Sequence, residues 1–128
     1  METMDKYLIE ILGKHYRLSD SLMSLYALWD EQDIYNKQIK DIEDEFLENL
    51  TFEDKLHKRK IKEKENQVYS LINKLNAIFL RRVIPIQLMF ATENERCEFI
   101  NMLNDLSNEQ LVAIYNEIIK IIPTREDE

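Results

Sequence analysis

The run SDSLMSLYALWDEQDIYNKQIKDIEDEFLENL (residues 19–50) passes directly into TFEDKLHKRKIKEKENQVYSLINKLNAIFLRRV (residues 51–83), and neither segment contains Gly or Pro. In the first, Leu22, Leu25, Trp29, Gln32, Tyr35, Ile39, Ile42, Phe46 and Leu50 recur at steps of three or four, the spacing of a coiled-coil seam. Gln32 is its only polar member. With Ser19 or Asp20 as N-cap, the pattern predicts a helix over 20–50, roughly 45 Å long at the α-helical rise. Thr51, followed by Glu53 and Asp54, then reads as a new helix start, with acids in the first turn where the helix dipole favours them. The third helix is predicted to reach Val83, ended by Pro85. Its distal half carries Val68, Leu71, Ile72, Leu75, Ile78, Phe79, Arg82 and Val83 on one seam. Its proximal half is nearly all charged, with Leu56 and Ile61 the only apolar residues between 53 and 67.

The two helices carry opposite charge where they meet. Residues 41–54 hold seven acids and no cation, and residues 55–64 hold six cations against Glu63. A fold-back near Leu50–Thr51 sets an acidic arm beside a basic one. The default reading is mutual neutralisation on a solvated helix face. The functional reading is contact with an acidic partner through Lys55, Lys58, Arg59 and Lys62. No aromatic residue lies between Lys55 and Lys64, which speaks against a platform for stacking single-stranded bases.

Upstream, Tyr7, Leu8, Ile11 and Leu12 predict a short helix over 3–12, stopped by Gly13, with Lys14–Leu18 as connector. Downstream, residues 84–91 are an apolar connector expected to pack down. Thr92-Glu93-Asn94-Glu95 and Ser107-Asn108-Glu109-Gln110 have the form of capping boxes. They predict helices over 93–104, burying Phe99, Ile100 and Leu103, and over 108–122, stopped by Pro123. Ile118, Ile119, Ile121 and Ile122 span more than one face, so this last helix is central in a core or shared with a partner. Phe99-Ile100…Leu103…Leu106-Ser107-Asn108-Glu109-Gln110-Leu111…Ile114…Ile118-Ile119 resembles the first two helices of the extraterminal domain of bromodomain proteins. That family's acidic strand and third helix have no counterpart here, so its peptide binding is not carried over.

The composition narrows the class. The chain has 128 residues, 45% of them hydrophobic and 33% charged, which supports one core and large solvated faces. One Gly and two Pro argue against an all-β fold. The net charge of −8 weakens a duplex-DNA reading. No run approaches a membrane span, no secretory leader is evident, and Cys97 is the sole cysteine, which together point to an intracellular protein of the cytoplasm or nucleus. Gly13, as the lone glycine, excludes a glycine-rich phosphate loop, and no nucleophile or zinc-protease motif occurs. His15, His57 and Cys97 are too few for a structural zinc site, and Cys97 reads as a buried inert thiol. No catalytic, cofactor or metal residues are assigned.

The sequence therefore predicts an all-α single domain over 1–128 with about five helices. Residues 1–18 form a short helix and connector, 19–84 a long antiparallel coiled-coil-like hairpin, and 92–123 a short helix pair packed on it. The expected function is a non-catalytic interaction or assembly module, acting as a homodimer or in a hetero-complex. Its expected interface is Leu25, Trp29, Tyr35, Ile39, Ile42 and Phe46, with Ile118 and Ile122. The short pair cannot cover the whole hairpin, so apolar surface is expected at one end. Two other readings compete: a nucleic-acid-associated protein using 55–64, and a viral or parasite regulator with a groove for a partner's amphipathic helix.

Overall fold

A computed structural model describes residues 8–122. Helix accounts for 73% of them. Among the described residues the order is β1 (Leu8–Ile11), β2 (Lys14–Leu18), α1 (Leu22–Glu48), α2 (Phe52–Lys55), α3 (Lys58–Ile86), β3 (Leu88–Met89), α4 (Glu93–Asn104) and α5 (Asn108–Ile119). The number of helices matches the sequence reading, but they are not the same five, since the helix expected over 51–83 is divided into α2 and α3 and the one expected over 3–12 is not formed by residues 8–12, and the class is not all-α. The three strands form one antiparallel sheet in the order β1-β2-β3.

The strands replace the helix expected over 3–12; residues 3–7 lie outside the described region. Ile9, Ile11, Tyr16 and Leu18 are buried and their neighbours exposed, which is the two-residue period of a sheet with one face on a core. Leu12 and Gly13 turn the chain with φ of 50° and 81°. Two positive φ values suit a two-residue hairpin loop, because that turn matches the twist of the strands it joins. Gly13 thus serves a strand turn, not a helix end. A Cβ on it would meet nothing within 4 Å, so the demand there is conformational and not steric.

Ser21 caps α1, and not Ser19 or Asp20, with its side chain accepting from the Met23 N–H. The helix ends at Glu48, as the fold-back at Leu50–Thr51 requires. Thr51 and Asp54 then form a full capping box on α2. The third predicted helix is not continuous: His57 is extended, and the chain re-enters helix at Lys58. Pro85 does not end α3 but lies inside its last turn, followed only by Ile86. A proline this close to the C-terminus forfeits a single backbone hydrogen bond. Burial of Val83, Ile84 and Pro85 in the core offsets that loss.

Contacts between α1 and α3 run in opposite chain order. Glu31 pairs with Arg82 at 2.7 Å, Tyr35 bonds Asn76 at 3.3 Å and stacks on Phe79 at 4.6 Å, and Phe46 lies with Val68 and Ile72. The apolar connector does pack down. Buried Gln87 donates to Ser24 O at 3.0 Å, its own carbonyl accepts from Ser19 N at 2.8 Å, and Leu88–Met89 pair with β2. The α4 limits match the predicted ones. Thr92 accepts from Glu95 N, but the Glu95 carboxylate takes the N–H of Ala91 and not of Thr92. The α5 box at Ser107 and Gln110 closes fully. That helix stops at Ile119, short of the predicted 122, and Pro123 lies outside the described residues. Arg81 ties α4 to α3 by donating to Leu103 O at 3.3 Å and Leu106 O at 3.1 Å.

All fourteen buried apolar residues lie in β1, β2, β3, α4, α5, the start of α1 and the end of α3. Tyr16 anchors the sheet to α4, its ring 4.9 Å from that of Phe99. From Trp29 to Ile78 the only buried residue is Asp54. The core thus occupies one end of the two long helices.

Two variants test these assignments by urea denaturation. Leu12→Asn should stabilise the chain by up to about 1 kcal/mol, since Asn tolerates the left-handed region that costs a leucine. Leu103→Ala, at a fully buried core position, should cost about 2–5 kcal/mol.

Candidate functional site

The residues predicted as an interface fall into three places. Leu25 and Ile122 meet at a cavity of about 180 Å³ beside Leu18, Leu22, Gln87 and Ile121. Ile118 is fully buried in its own core. Trp29, Tyr35, Ile39, Ile42 and Phe46 are half-buried along α1. Trp29 lies with Tyr26, ring centroids 5.7 Å apart, and burial raises the Tyr35 phenol above its ordinary pKa. The polar seam residue has a partner as well: Gln32 Nε2 donates to Tyr115 Oη of α5 at 2.9 Å.

The far end of the long helices is held by polar groups. Lys64 Nζ reaches Asp54 Oδ2 at 2.6 Å and Asn49 O at 3.2 Å. On one straight helix, residues ten apart would be about 15 Å apart along the axis. The break at Leu56–His57 is what lets α2 fold back and this contact form. Thr51 N also donates to Asp54 Oδ2 at 3.0 Å. The Lys64 hydrogen bond, and then the Thr51 N–H, hold the Asp54 carboxyl well below its ordinary value of 3.8. Lys60 pairs with Glu53 at 3.6 Å and Arg59 with Glu63 at 3.3 Å. No ion pair among the described residues joins 41–48 to 55–64. The neutralisation expected from 41–54 comes from Glu53 and Asp54 alone, because the acids of 41–48 lie mostly on the solvent side of α1. Lys55, Lys58 and Lys62 are exposed and in no ion pair among the described residues.

Between this tip and the core lies an open trough of about 360 Å³, lined by Glu43, Phe46 and Leu47 of α1 and by Glu65, Val68, Tyr69 and Ile72 of α3. It begins near the N-terminus of α5, where Asn108 Nδ2 donates to Asn73 O at 3.4 Å. Leu47 is 64% exposed and Tyr69 59%; at the tip, Phe52 is 78% and Leu56 66% exposed. The sequence reading assigned none of these four to an interface. They stand beside the seam and not on it, so a search for the buried period passes over them. Of the predicted interface, only Phe46 lines the trough.

Among the described residues, no three His, Cys, Asp or Glu side chains are grouped to hold a metal ion. Among the described residues no helix is long and apolar enough to cross a membrane. Cys97 is exposed, not buried as expected. Phe99 and Leu103 set the buried face of α4, and a residue two before Phe99 points the other way. No protein-family model matches the chain, and no curated protein or solved structure matches it either. The resemblance of residues 99–119 to extraterminal helices therefore stands on the local pattern alone.

Asp54 makes acid sensitivity a direct readout of the tip. Its folded pKa is depressed, so its stabilising effect is fully present above about 3.8 and is lost as pH falls below that value. Asp54→Asn should be less stable than the parent chain at pH 6. The gap should shrink as pH drops below 3.8. A gap that stays constant with pH would show that the carboxylate charge is not what holds the tip.

Proposed function

We propose that this chain is a non-catalytic helical assembly module, in which a coiled-coil-like antiparallel pair of helices, α1 and α3, carries a protein-binding surface at the end away from the core. One observation carries the reading: from Trp29 to Ile78 nothing apolar is buried, while Leu47 and Tyr69 stand exposed on the trough and Phe52 and Leu56 at the tip beyond it. A contiguous exposed apolar region rimmed by charge is the mark of an interaction site. The partner is a second copy or another protein subunit.

The basic face supports a nucleic-acid reading less well. Lys58 and Lys62 are unpaired, but Asp44, Glu45 and Glu48 stand on the same tip and would repel phosphate. The native mass tests the proposal. Size exclusion with light scattering on material from the natural source should give a mass above the 15.5 kDa of one chain. A strict single-chain mass at native concentration would overturn it.

A further inference from the structure

On α3, Lys58, Lys62, Glu65 and Tyr69 follow one another at steps of four, three and four. That spacing places them on one helix face. Glu43 and Leu47, four apart on α1, stand across the trough from Glu65 and Tyr69. Read from the tip inward, this face is cationic first, then acidic and apolar. None of Lys58, Lys62, Glu43 and Glu65 is in an ion pair among the described residues.

Such an order is self-complementary under a two-fold rotation. We propose, building on the assembly reading above, that the chain forms a symmetric tip-to-tip homodimer through this face. With the axis crossing α3 between Lys62 and Glu65, Lys62 of each copy meets Glu65 of the other. Lys58 then reaches the second copy's Tyr69, beside Glu43. An ammonium over a tyrosine ring is favourable as well as one beside a carboxylate. The four residues span about 16 Å of helix, so a two-fold axis at their midpoint brings each tip over the other copy's trough. Phe52 and Leu56, exposed at the tip, are then carried onto the other copy. An apolar cavity of about 150 Å³ holds a benzene-sized ring, and the trough of about 360 Å³ has room for such side chains. Two-fold pairing uses both charged patches of both chains and closes after two copies, leaving no sticky end for further growth.

The contact is short, so it lies at the small end of specific interfaces and gives a concentration-dependent dimer. Its charge pairs are rim-exposed, so salt weakens it. The test is sedimentation equilibrium of the purified full chain from about 1 to about 200 μM, with circular dichroism to confirm folding. Three proteins are compared: the parent, Lys58→Glu/Lys62→Glu, and Glu43→Lys/Glu65→Lys. The substituted side chains hold no intrachain ion pair, so each variant is expected to fold. The parent should dimerise, and each variant alone should self-associate at least about tenfold more weakly. An equimolar mixture of the two variants should form a heterodimer, because every tip then faces a trough of opposite charge. A parent that remains monomeric at the top concentration overturns the dimer, while the native-mass experiment judges the assembly reading separately. A parent dimer that neither charge reversal weakens overturns this face and leaves self-association standing. A variant mixture that forms no heterodimer, with low-salt binding of a single-stranded oligonucleotide by the parent that is lost in Lys58→Glu/Lys62→Glu, would instead assign the cations to nucleic acid and overturn the proposal.

Discussion

An apolar seam in water has to be covered along its length, and this chain has core material for only part of it. The long helices α1 and α3 run for 27 and 29 residues. The elements that cover them are a three-stranded sheet and two 12-residue helices. These gather at one end, where Leu80, Val83, Ile84, Leu103, Leu111 and Ile118 are almost wholly shielded from solvent. Every other feature follows from how the remaining length is managed. Aromatic and polar pairing carries the middle, through Tyr35 with Phe79 and Gln32 with Tyr115. From Ile72 towards the tip, α3 has only α1 and the short α2 beside it.

Polar closure of the tip is the counterpart of that shortage. A turn between two long helices usually gains stability by burying a few apolar side chains. Here Phe52 and Leu56 are left in solvent, and the buried group is a carboxylate. Asp54 is satisfied by Lys64 and by Thr51, and Lys64 also takes up a carbonyl at the end of α1. A buried charge that is fully hydrogen-bonded specifies one geometry more sharply than apolar contact does. The cost is modest net stability, because such a pair must first be desolvated.

Most of the helical architecture was legible in the sequence, and the reasons for the misses are local. Caps were the most reliable guide: Thr51, Thr92 and Ser107 each open a helix where expected, because a side-chain oxygen on an unsatisfied N–H is a short-range interaction. The strand pair β1–β2 was missed because Leu8, Ile11 and Leu12 fit a helical face, while the alternation Ile9, Ile11, Tyr16, Leu18 is only visible once the two sides of Gly13 are read together. Its third strand is two residues long and leaves no periodic trace. The break at Leu56–His57 was hidden as well, since it is stabilised by Lys64 meeting Asp54 ten residues away, a contact that no local pattern reports. Pro85 sits where one lost hydrogen bond is outweighed by burial, which no local rule reports. The seam residues from Leu25 to Leu50 are half-buried while Leu22 is exposed, and two more exposed apolar side chains, Leu47 and Tyr69, lie beside the seam.

The one-sided placement of the core has a consequence for motion. Cooperative protection against local opening follows buried contact density. Backbone amides near Leu80, Leu103 and Leu111 lie in the buried core, where opening costs most. Those from Asp41 to Gln67 are guarded chiefly by helical hydrogen bonds and by the Asp54–Lys64 pair. Burial confined to one end makes that end the head and the rest a lever whose opening would expose no buried apolar side chain. Whatever grips the end of that lever would order it, and its grip would be felt first as slowed exchange far from the core.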